Sequence, residues 1–292
     1  MAEPSGFSPQ ASVPAISERL AMLMVWLVAL LVIGLCAWLF ADIAWRGVGR
    51  LSWAFLTEPP ADAGRSGGIG PILLSTGLIV AVALAAATPI ALGTAVLLAE
   101  FVPNGSRFGR FVARSLDMLS SVPSIVFGLF GNAFFCIYLG MGFSIVAGGL
   151  TLACMALPIL ISTAEAGLRS APDDYRLAAA GLGLSRTATL VHLLLPAATP
   201  ALVAGLMLGI GRAMAETAAL IFTSGYVDRM PSSLFDSGRA LSVHIYDLSM
   251  NVAGGDATAS AAALVLMGWL LIINYTAHYL ASGWKRRKML ET

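Results

Sequence analysis

Long apolar runs separated by short polar stretches make up most of this chain. Six runs come close to the 20 or so residues that an α-helix needs to cross the hydrocarbon core of a bilayer. The pattern therefore predicts an all-α polytopic membrane protein with about six transmembrane helices. The predicted spans cover residues 20–41, 72–99, 119–139, 143–164, 197–222 and 260–282.

The first run, LAMLMVWLVALLVIGLCAWLF, predicts a retained membrane anchor. Its 21 uncharged residues exceed the core of a secretory signal peptide, and no convincing small-x-small cleavage site follows. We expect a disordered cytoplasmic tail at residues 1–19, a transmembrane domain at 20–282 and a basic cytoplasmic tail at 283–292.

Composition and charge agree with a membrane lipid environment. Charged residues make up 11% of the chain, whereas a soluble domain carries about 25%. The net charge of +1 gives no support for nucleic-acid binding. Cys36, Cys136 and Cys154 fall in apolar spans without CxxC spacing. We therefore interpret them as small buried hydrophobic side chains and not as metal or redox ligands.

The distribution of positive charge predicts the orientation of the chain. With the N-terminus inside, cytoplasmic segments hold eleven Lys and Arg residues and external loops hold five. Because these residues are retained on the cytoplasmic side, both termini are expected in the cytoplasm.

Prolines interrupt three of the predicted spans, at Pro89, Pro123 and Pro158, and the spans are rich in Gly and Ala. Small residues let helices approach closely, and prolines free backbone groups that a bundle must satisfy. A packed, bendable bundle is implied. This pattern fits a transporter, a channel or an intramembrane enzyme.

A cytoplasmic stretch from Ser170 to Ala198 predicts a helix-turn-helix loop. Ser170 and Asp173, with Pro172 between them, resemble a capping box that starts a helix reaching about Ala180. Glycines end this helix, Ser185 caps a second short helix, and Pro196 marks the entry to the fifth span. Ala178, Ala179 and Ala180 leave a face with little side-chain bulk. That face fits either a groove of another protein or an ordinary folded loop.

The same loop resembles the EAA motif of permease subunits of ATP-driven importers. That motif reads EAA, three residues, Gly, nine residues, Ile, one residue, Leu-Pro. The resemblance implies a type I ABC importer permease fold, MetI-like, whose loop at 166–196, with Asp173 and Asp174, docks into a separate ATPase. Leu177 stands where the family usually has Glu. The matching positions are Leu177, Ala178, Ala179, Gly183, Leu193, Leu195 and Pro196.

A narrower resemblance, to the PstA family of phosphate-importer permeases, runs from about residue 67 to the end. It is carried by SGGIGPILLSTG, AVLLAEF, SVPSIVFGLFG, GRAMAETAAL and SVHIYDL, in that order. The resemblance implies as partners a second, PstC-like permease, a PstB-like ATPase dimer and a PstS-like phosphate-binding protein. The external loops 42–70 and 223–259 are the expected docking surfaces for the binding protein.

Other chemistry finds little support in the residues. A phosphate-cradling loop needs the lysine of GK[ST], but Lys285 and Lys288 lie at the C-terminal end. His192, His244 and His278 are scattered, form no HExxH motif and are interpreted as surface or interfacial residues. We therefore expect no catalytic site, metal or cofactor in this chain, with ATP and Mg held by the partner ATPase. A secondary anion transporter or channel, or an importer permease for sulfate, molybdate or phosphonate, remains an alternative.

The stretch GRAMAETAAL places two charges inside the fifth predicted span. Arg212 and Glu216 are four residues apart, so a continuous helix puts them on one face, where they can pair. Because an intramembrane Arg is costly, it either tethers helices or faces a polar path. In the resembling family the corresponding Arg and Glu are associated with the phosphate path. A guanidinium fork suits a phosphate, and Glu216 is then expected to neutralise Arg212 when the path is empty.

Overall fold

The computed structural model of the protein describes residues 15–103 and 105–289, with side chains from residue 18 to residue 279. Most of the predicted N-terminal tail, residues 1–14, lies outside this part. The first helix begins at Ala15, inside the predicted tail. The last helix runs to Met289, through most of the predicted basic tail.

Helices dominate the described part of the chain. The exception is a small hairpin of two short strands, β1 (Pro60–Ala61) and β2 (Ser66–Gly67), which pair in antiparallel orientation. Widened π-turns at Leu97–Phe101 and Asn132–Tyr138 each extend the helix before them, and one at Leu190–Leu194 joins two helices. The helices are α1 (Ala15–Gly47), α2 (Trp53–Thr57), α3 (Gly70–Val96), α4 (Arg107–Ser121), α5 (Ser124–Gly131), α6 (Ile145–Arg169), α7 (Asp173–Gly181), α8 (Arg186–Thr189), α9 (Leu195–Ala215), α10 (Ala218–Ile221), α11 (Leu241–Met250) and α12 (Asp256–Met289).

Five helical stretches of the described residues are long and apolar enough to cross a bilayer, and a bent pair makes up to six. The all-α polytopic fold is therefore confirmed. The third span needs correction, because α4 and α5 meet at 96° instead of forming one helix. Val122, which precedes Pro123, is extended at φ −68° and ψ 129°, as expected from the clash that a proline imposes on its predecessor. Of the three prolines expected to interrupt spans, Pro89 and Pro158 instead lie inside helices.

Small residues set the distance between α3 and α6, the central helix pair. Ala83, Ala87, Ala91 and Ala95 recur every four residues along α3 and are buried. Gly149 of α6 lies against Ile79 and Val82 of α3, so closely that an added Cβ would sit 2.6 Å from the Val82 Cγ1 atom. Close approach of this kind is how helices associate where lipid removes the usual hydrophobic drive.

The first helix stands apart from this core. The apolar side chains of α1, including that of Cys36, are exposed within the chain, so the expectation that Cys36 is buried is wrong. Cys136 is buried, as interpreted, whereas Cys154 is only half-buried. Contact with α12 comes at the end of α1, where Gly47 packs on the backbone of Ser260 and Ala261. The remaining face of α1 is free for lipid or another subunit.

We expect Gly149→Ala to lower the midpoint of thermal unfolding in detergent, because the new methyl group has to push α3 and α6 apart. The penalty for overpacking a core is about 1–3 kcal/mol. Gly93→Ala is the matched control, since that α3 glycine has no atom within 4 Å of an added Cβ. The account of the helix pair fails if both variants unfold at the same temperature.

Candidate functional site

The fifth span breaks in the middle of its apolar run. Helix α9 ends at Ala215, and Glu216 is extended, with φ −75° and ψ 127°. The expectation that Arg212 and Glu216 share one helix face is therefore wrong. Their side chains form no ion pair with each other, because the helix stops between them.

Groups on other elements satisfy the backbone at the break. The Ser242 hydroxyl, on α11, donates to the Glu216 carbonyl at 2.6 Å. The Glu216 carboxylate turns forward and accepts from the Ala219 amide at 3.4 Å, at the start of α10. In turn, the Leu241 amide, at the start of α11, donates to Thr76 Oγ1 of α3 at 2.8 Å. These hydrogen bonds stabilise the break, because unpaired backbone groups in a membrane cost several kcal/mol each.

The carbonyls at the end of α10 are satisfied in the same way. Asn132 Nδ2 donates to the Phe222 carbonyl at 2.8 Å. The Ser144 amide donates to the Thr223 carbonyl at 3.1 Å, and the Gly238 amide to the Ser224 carbonyl at 3.0 Å. Side chains and backbone from both flanking segments therefore hold residues 216–225 in an irregular path.

Arg212 lies in the last turn of α9, just before the break, with its side chain exposed within the chain. It makes no hydrogen bond or ion pair to any residue that the structure describes. A cavity of about 290 Å³ opens beside it. The cavity is lined by Leu119, Ser120, Phe127, Met155, Pro158, Ile159, Ser162 and Arg212. A guanidinium and two hydroxyls therefore face one small space with apolar walls.

The loop predicted to be cytoplasmic folds as two short helices, as expected, but the first of them begins differently. Pro172 is the N-cap of α7, and no side chain caps the helix. The capping box is therefore wrong, because the Ser170 hydroxyl donates backwards to the Gly167 carbonyl. Asp173 and Asp174 lie in the first turn of α7, where carboxylates interact favourably with the helix dipole.

Gly183 closes the first of these helices. Its φ of +67° is a conformation that glycine adopts freely and other residues adopt at a cost. The Gly183 amide donates to the Ala180 carbonyl, and the Leu184 amide to that of Ala179. This pair of bonds is a Schellman motif, and it turns the chain sharply. Ser185 then caps α8, as predicted, by accepting from the Ala188 amide at 3.2 Å.

The loop presents apolar side chains outward. Leu177 and Leu182 are 71% and 79% exposed, whereas Ala179 is buried against the bundle. Ala178 is exposed beside them. Leu195 and Pro196 begin α9, where they continue the helical path from α8 into the span. Large exposed leucines on a short surface helix indicate a surface that another protein covers.

Sequence reasoning missed the ion pair that anchors this loop. Arg176 of α7 donates to Glu100 at 2.7 Å through Nη2 and at 3.4 Å through Nε. The hydrogen bond to Glu100 raises the pKa of Arg176 further above its ordinary value. The two residues are 76 positions apart. A carboxylate at the end of the apolar run AVLLAEF was the available signal.

A second polar cluster surrounds His244 of α11. His244 is fully buried, which corrects its interpretation as a surface or interfacial residue, while His192 and His278 are exposed. Arg239 approaches His244 Nδ1 at 3.3 Å and Asp247 at 3.4 Å. Burial, followed by the charge of Arg239, lowers the pKa of His244 to about 4. The ring is therefore neutral at pH 7.

Comparison with known proteins identifies the class. Residues 87–286 match the family described as the binding-protein-dependent transport system inner membrane component, and the chain belongs to this family. It is a multi-pass inner-membrane protein and the permease component of an ABC importer. A chain from a bacterial ABC transporter that imports the acidic polysaccharide alginate shares the fold. The TM-score is 0.61 at 15% identity, over 90% of this chain and 94% of that one.

Among the relatives with known names, the chain resembles the PstA type of phosphate permease. It is 31% identical to phosphate transport system permease protein PstA 1 of Mycobacterium tuberculosis (strain H37Rv), over 91% of this chain and 86% of that protein. It is also 31% identical to the probable ABC transporter permease protein YqgI of Bacillus subtilis (strain 168), over 91% and 96%.

The buried histidine predicts an acid-sensitive fold. Since the pKa of His244 is about 4 when folded and about 6.5 when unfolded, the unfolded chain binds its proton first as pH falls. The stabilisation is complete above pH 6.5 and is lost progressively towards pH 4, by roughly 3 kcal/mol in total. His244→Gln should therefore show a smaller fall in unfolding midpoint between pH 7 and pH 4.5.

His278→Gln, at an exposed position, serves as the control and should keep the parental pH dependence. An equal pH dependence in His244→Gln and the parent contradicts the assignment.

Proposed function

We propose that this chain is a permease subunit of an ATP-driven inorganic phosphate importer. It forms half of the translocation path and couples to a separate ATPase through its cytoplasmic loop. The observation that carries the proposal is Arg212, an unpaired guanidinium in the broken fifth span that faces a cavity with two hydroxyls. The names of the relatives give phosphate as the anion.

The chemistry of the cavity suits an oxyanion. Placing Arg in a membrane helix costs roughly 2.5–3.5 kcal/mol on insertion scales, so an Arg with no partner in the described part of its chain needs a polar path or ligand. Its planar donors match two phosphate oxygens at once. Ser162 on α6 adds a hydroxyl to the lining, whereas the Ser120 hydroxyl on α4 donates to the Leu116 carbonyl and leaves its oxygen as an acceptor. Within this arrangement Glu216 shapes the path by holding the break, not by neutralising Arg212.

The cytoplasmic loop supplies the coupling surface. The exposed Leu177 and Leu182 of the α7 region form an apolar face for the groove of an ATPase dimer. The carboxylate that the family usually has at position 177 is absent, so apolar contact replaces a salt bridge there. ATP and Mg belong to the ATPase, which closes on ATP and moves the loop. The loop then switches the bundle between inward- and outward-facing states.

The remaining partners follow from topology. The exposed faces of the bundle receive a second, PstC-like permease, and the outer segments 42–70 and 223–259 receive a phosphate-binding protein. The asymmetry of positive charge places both termini in the cytoplasm. Sulfate, molybdate and phosphonate offer similar oxygen geometry to an Arg fork, so the binding protein supplies most of the selectivity. Competition by these anions in uptake assays separates the alternatives.

Arg212→Ala is expected to abolish uptake of labelled phosphate by the reconstituted complex, normalised to assembled complex, because the path loses its guanidinium. Arg212→Lys should restore little, since an ammonium keeps the charge without the fork. Arg114→Ala, an exposed cytoplasmic arginine outside the cavity, is the matched control. A normal normalised rate in Arg212→Ala removes this residue from the path. Reduced assembly with a normal rate per complex supports a tether instead.

Gly183→Val is expected to leave insertion and ATPase co-purification nearly intact but to lower the phosphate transported per ATP hydrolysed. A β-branched residue at positive φ costs about 1–3 kcal/mol and distorts the turn. Gly183→Asn should be milder, because Asn tolerates this conformation.

Gly181→Val is the control, since Gly181 is helical and an added Cβ there meets nothing within 4 Å. Parental coupling in an assembled Gly183→Val complex shows that the turn does not transmit the movement. Phosphate uptake by the chain in liposomes with no ATPase present would instead establish the secondary transporter.

A further inference from the structure

The backbone connects the coupling helix α7 directly to two spans, α6 and α9. It leads from α6 through residues 170–172 and on to α9 through α8. The central span α3 has no such covalent link to α7, although it packs along α6. Any movement of α7 therefore reaches α3 through side chains.

The side chain of Arg176 connects α7 to the end of α3. Its guanidinium holds both oxygens of Glu100, in the π-turn that ends α3, and also donates to the carbonyls of Leu168 and Ala171 at 3.1 Å each. Only 28% of the Arg176 side chain and 17% of the Glu100 side chain are exposed. Because the pair is forked and largely shielded, it is stiffer and stronger than an exposed ion pair.

A second arginine donates a hydrogen bond to the same π-turn at the end of α3. Arg169, in the last turn of α6, donates to the Leu98 carbonyl at 2.8 Å and to Glu165 at 2.8 Å. A π-turn widens the helix and changes its backbone hydrogen bonding, and here the Leu98 carbonyl accepts from Arg169. The cytoplasmic end of α3 is thus bonded from α6 by Arg169 and from α7 by Arg176.

At its other end, α3 contacts the elements that maintain the break. Thr76 Oγ1 accepts from the Leu241 amide, and Ser242 of the same α11 helix donates to the Glu216 carbonyl. Thr76 and Glu100 are separated by roughly 36 Å of helix at about 1.5 Å per residue. Hydrogen bonds and one continuous helical element therefore connect α7 to the backbone beside Arg212.

We propose that Arg176 and Glu100 are positioning residues through which α7 moves α3, so that the loop acts on the break at Glu216. The inference rests on the proposed function, since it takes the loop as the docking site of an ATPase. Neither residue touches the transported anion. Their role is to carry the displacement of α7 to a third span, in addition to the two that the chain connects.

The test uses the full complex in liposomes, supplied with ATP and labelled inorganic phosphate. Phosphate transported per ATP hydrolysed is measured for Glu100→Gln, Arg176→Gln and the double variant. Each single variant should lower this ratio roughly tenfold, within the range of measured coupling between sites. The double variant should be no worse than either single one, because the two residues act as one unit. Arg114→Gln makes the same chemical change at an exposed cytoplasmic position outside the pair and should keep the parental ratio.

A parental ratio in the assembled single variants overturns the proposal, as do losses that simply add in the double variant. Where a single variant assembles poorly, Arg176→Lys is measured in its place, because it keeps the charge but loses the fork. Its ratio should fall below the parental value, and a parental ratio there also overturns the proposal. A parental chain that fails to co-purify with an ATPase, or a parental complex that moves no phosphate, is a failure of the proposed function. That outcome is separate from any change in the ratio.

Discussion

Backbone hydrogen bonding at the break after Ala215 is the constraint on which the rest of the structure depends. A helix that stops inside a membrane exposes amides and carbonyls that lipid cannot satisfy. Here Ser242 satisfies the Glu216 carbonyl, and the Glu216 carboxylate accepts from the Ala219 amide. The segment around α11 therefore has to fold back against α3 and α9. The break also ends the helix between two charges, which leaves Arg212 without a partner among the residues that the structure describes.

The packing of α3 explains how one helix serves both ends of the molecule. Small residues every four positions let α6 approach it closely along most of its length. The C-terminal end of α3 is held through Glu100, and its N-terminal half holds the start of α11 through Thr76. Among the described residues, α3 is held by an ion pair at its C-terminal end and by a neutral hydrogen bond near its N-terminal end, with apolar contact between them.

Hydropathy and local motifs predicted the spans and the helix-turn-helix loop because these depend on neighbouring residues. Ser185 as a cap and Gly183 at a tight turn follow from residue type and spacing. The break at Glu216 was not predictable, since the apolar run continues to Phe222 and the deciding hydroxyl of Ser242 lies 26 positions away. The Arg176 and Glu100 pair escaped for the same reason. Pro123 indicated the bend after Ser121. The continuous apolar run, however, did not show where the third span begins.

The central claim is that Arg212 faces an anion path in the assembled importer. Ser162, which lines the same cavity, reports on that path without removing the arginine. Ser162→Cys is placed in a chain whose three native cysteines are replaced by alanine. The reconstituted complex is then treated with a membrane-impermeant thiol reagent, with and without saturating phosphate. The account predicts that phosphate slows labelling of the Ser162→Cys thiol several-fold when Arg212 is present. In Arg212→Ala, phosphate should not slow this labelling. A thiol that stays unlabelled in every state, or labelling that phosphate never affects, contradicts it.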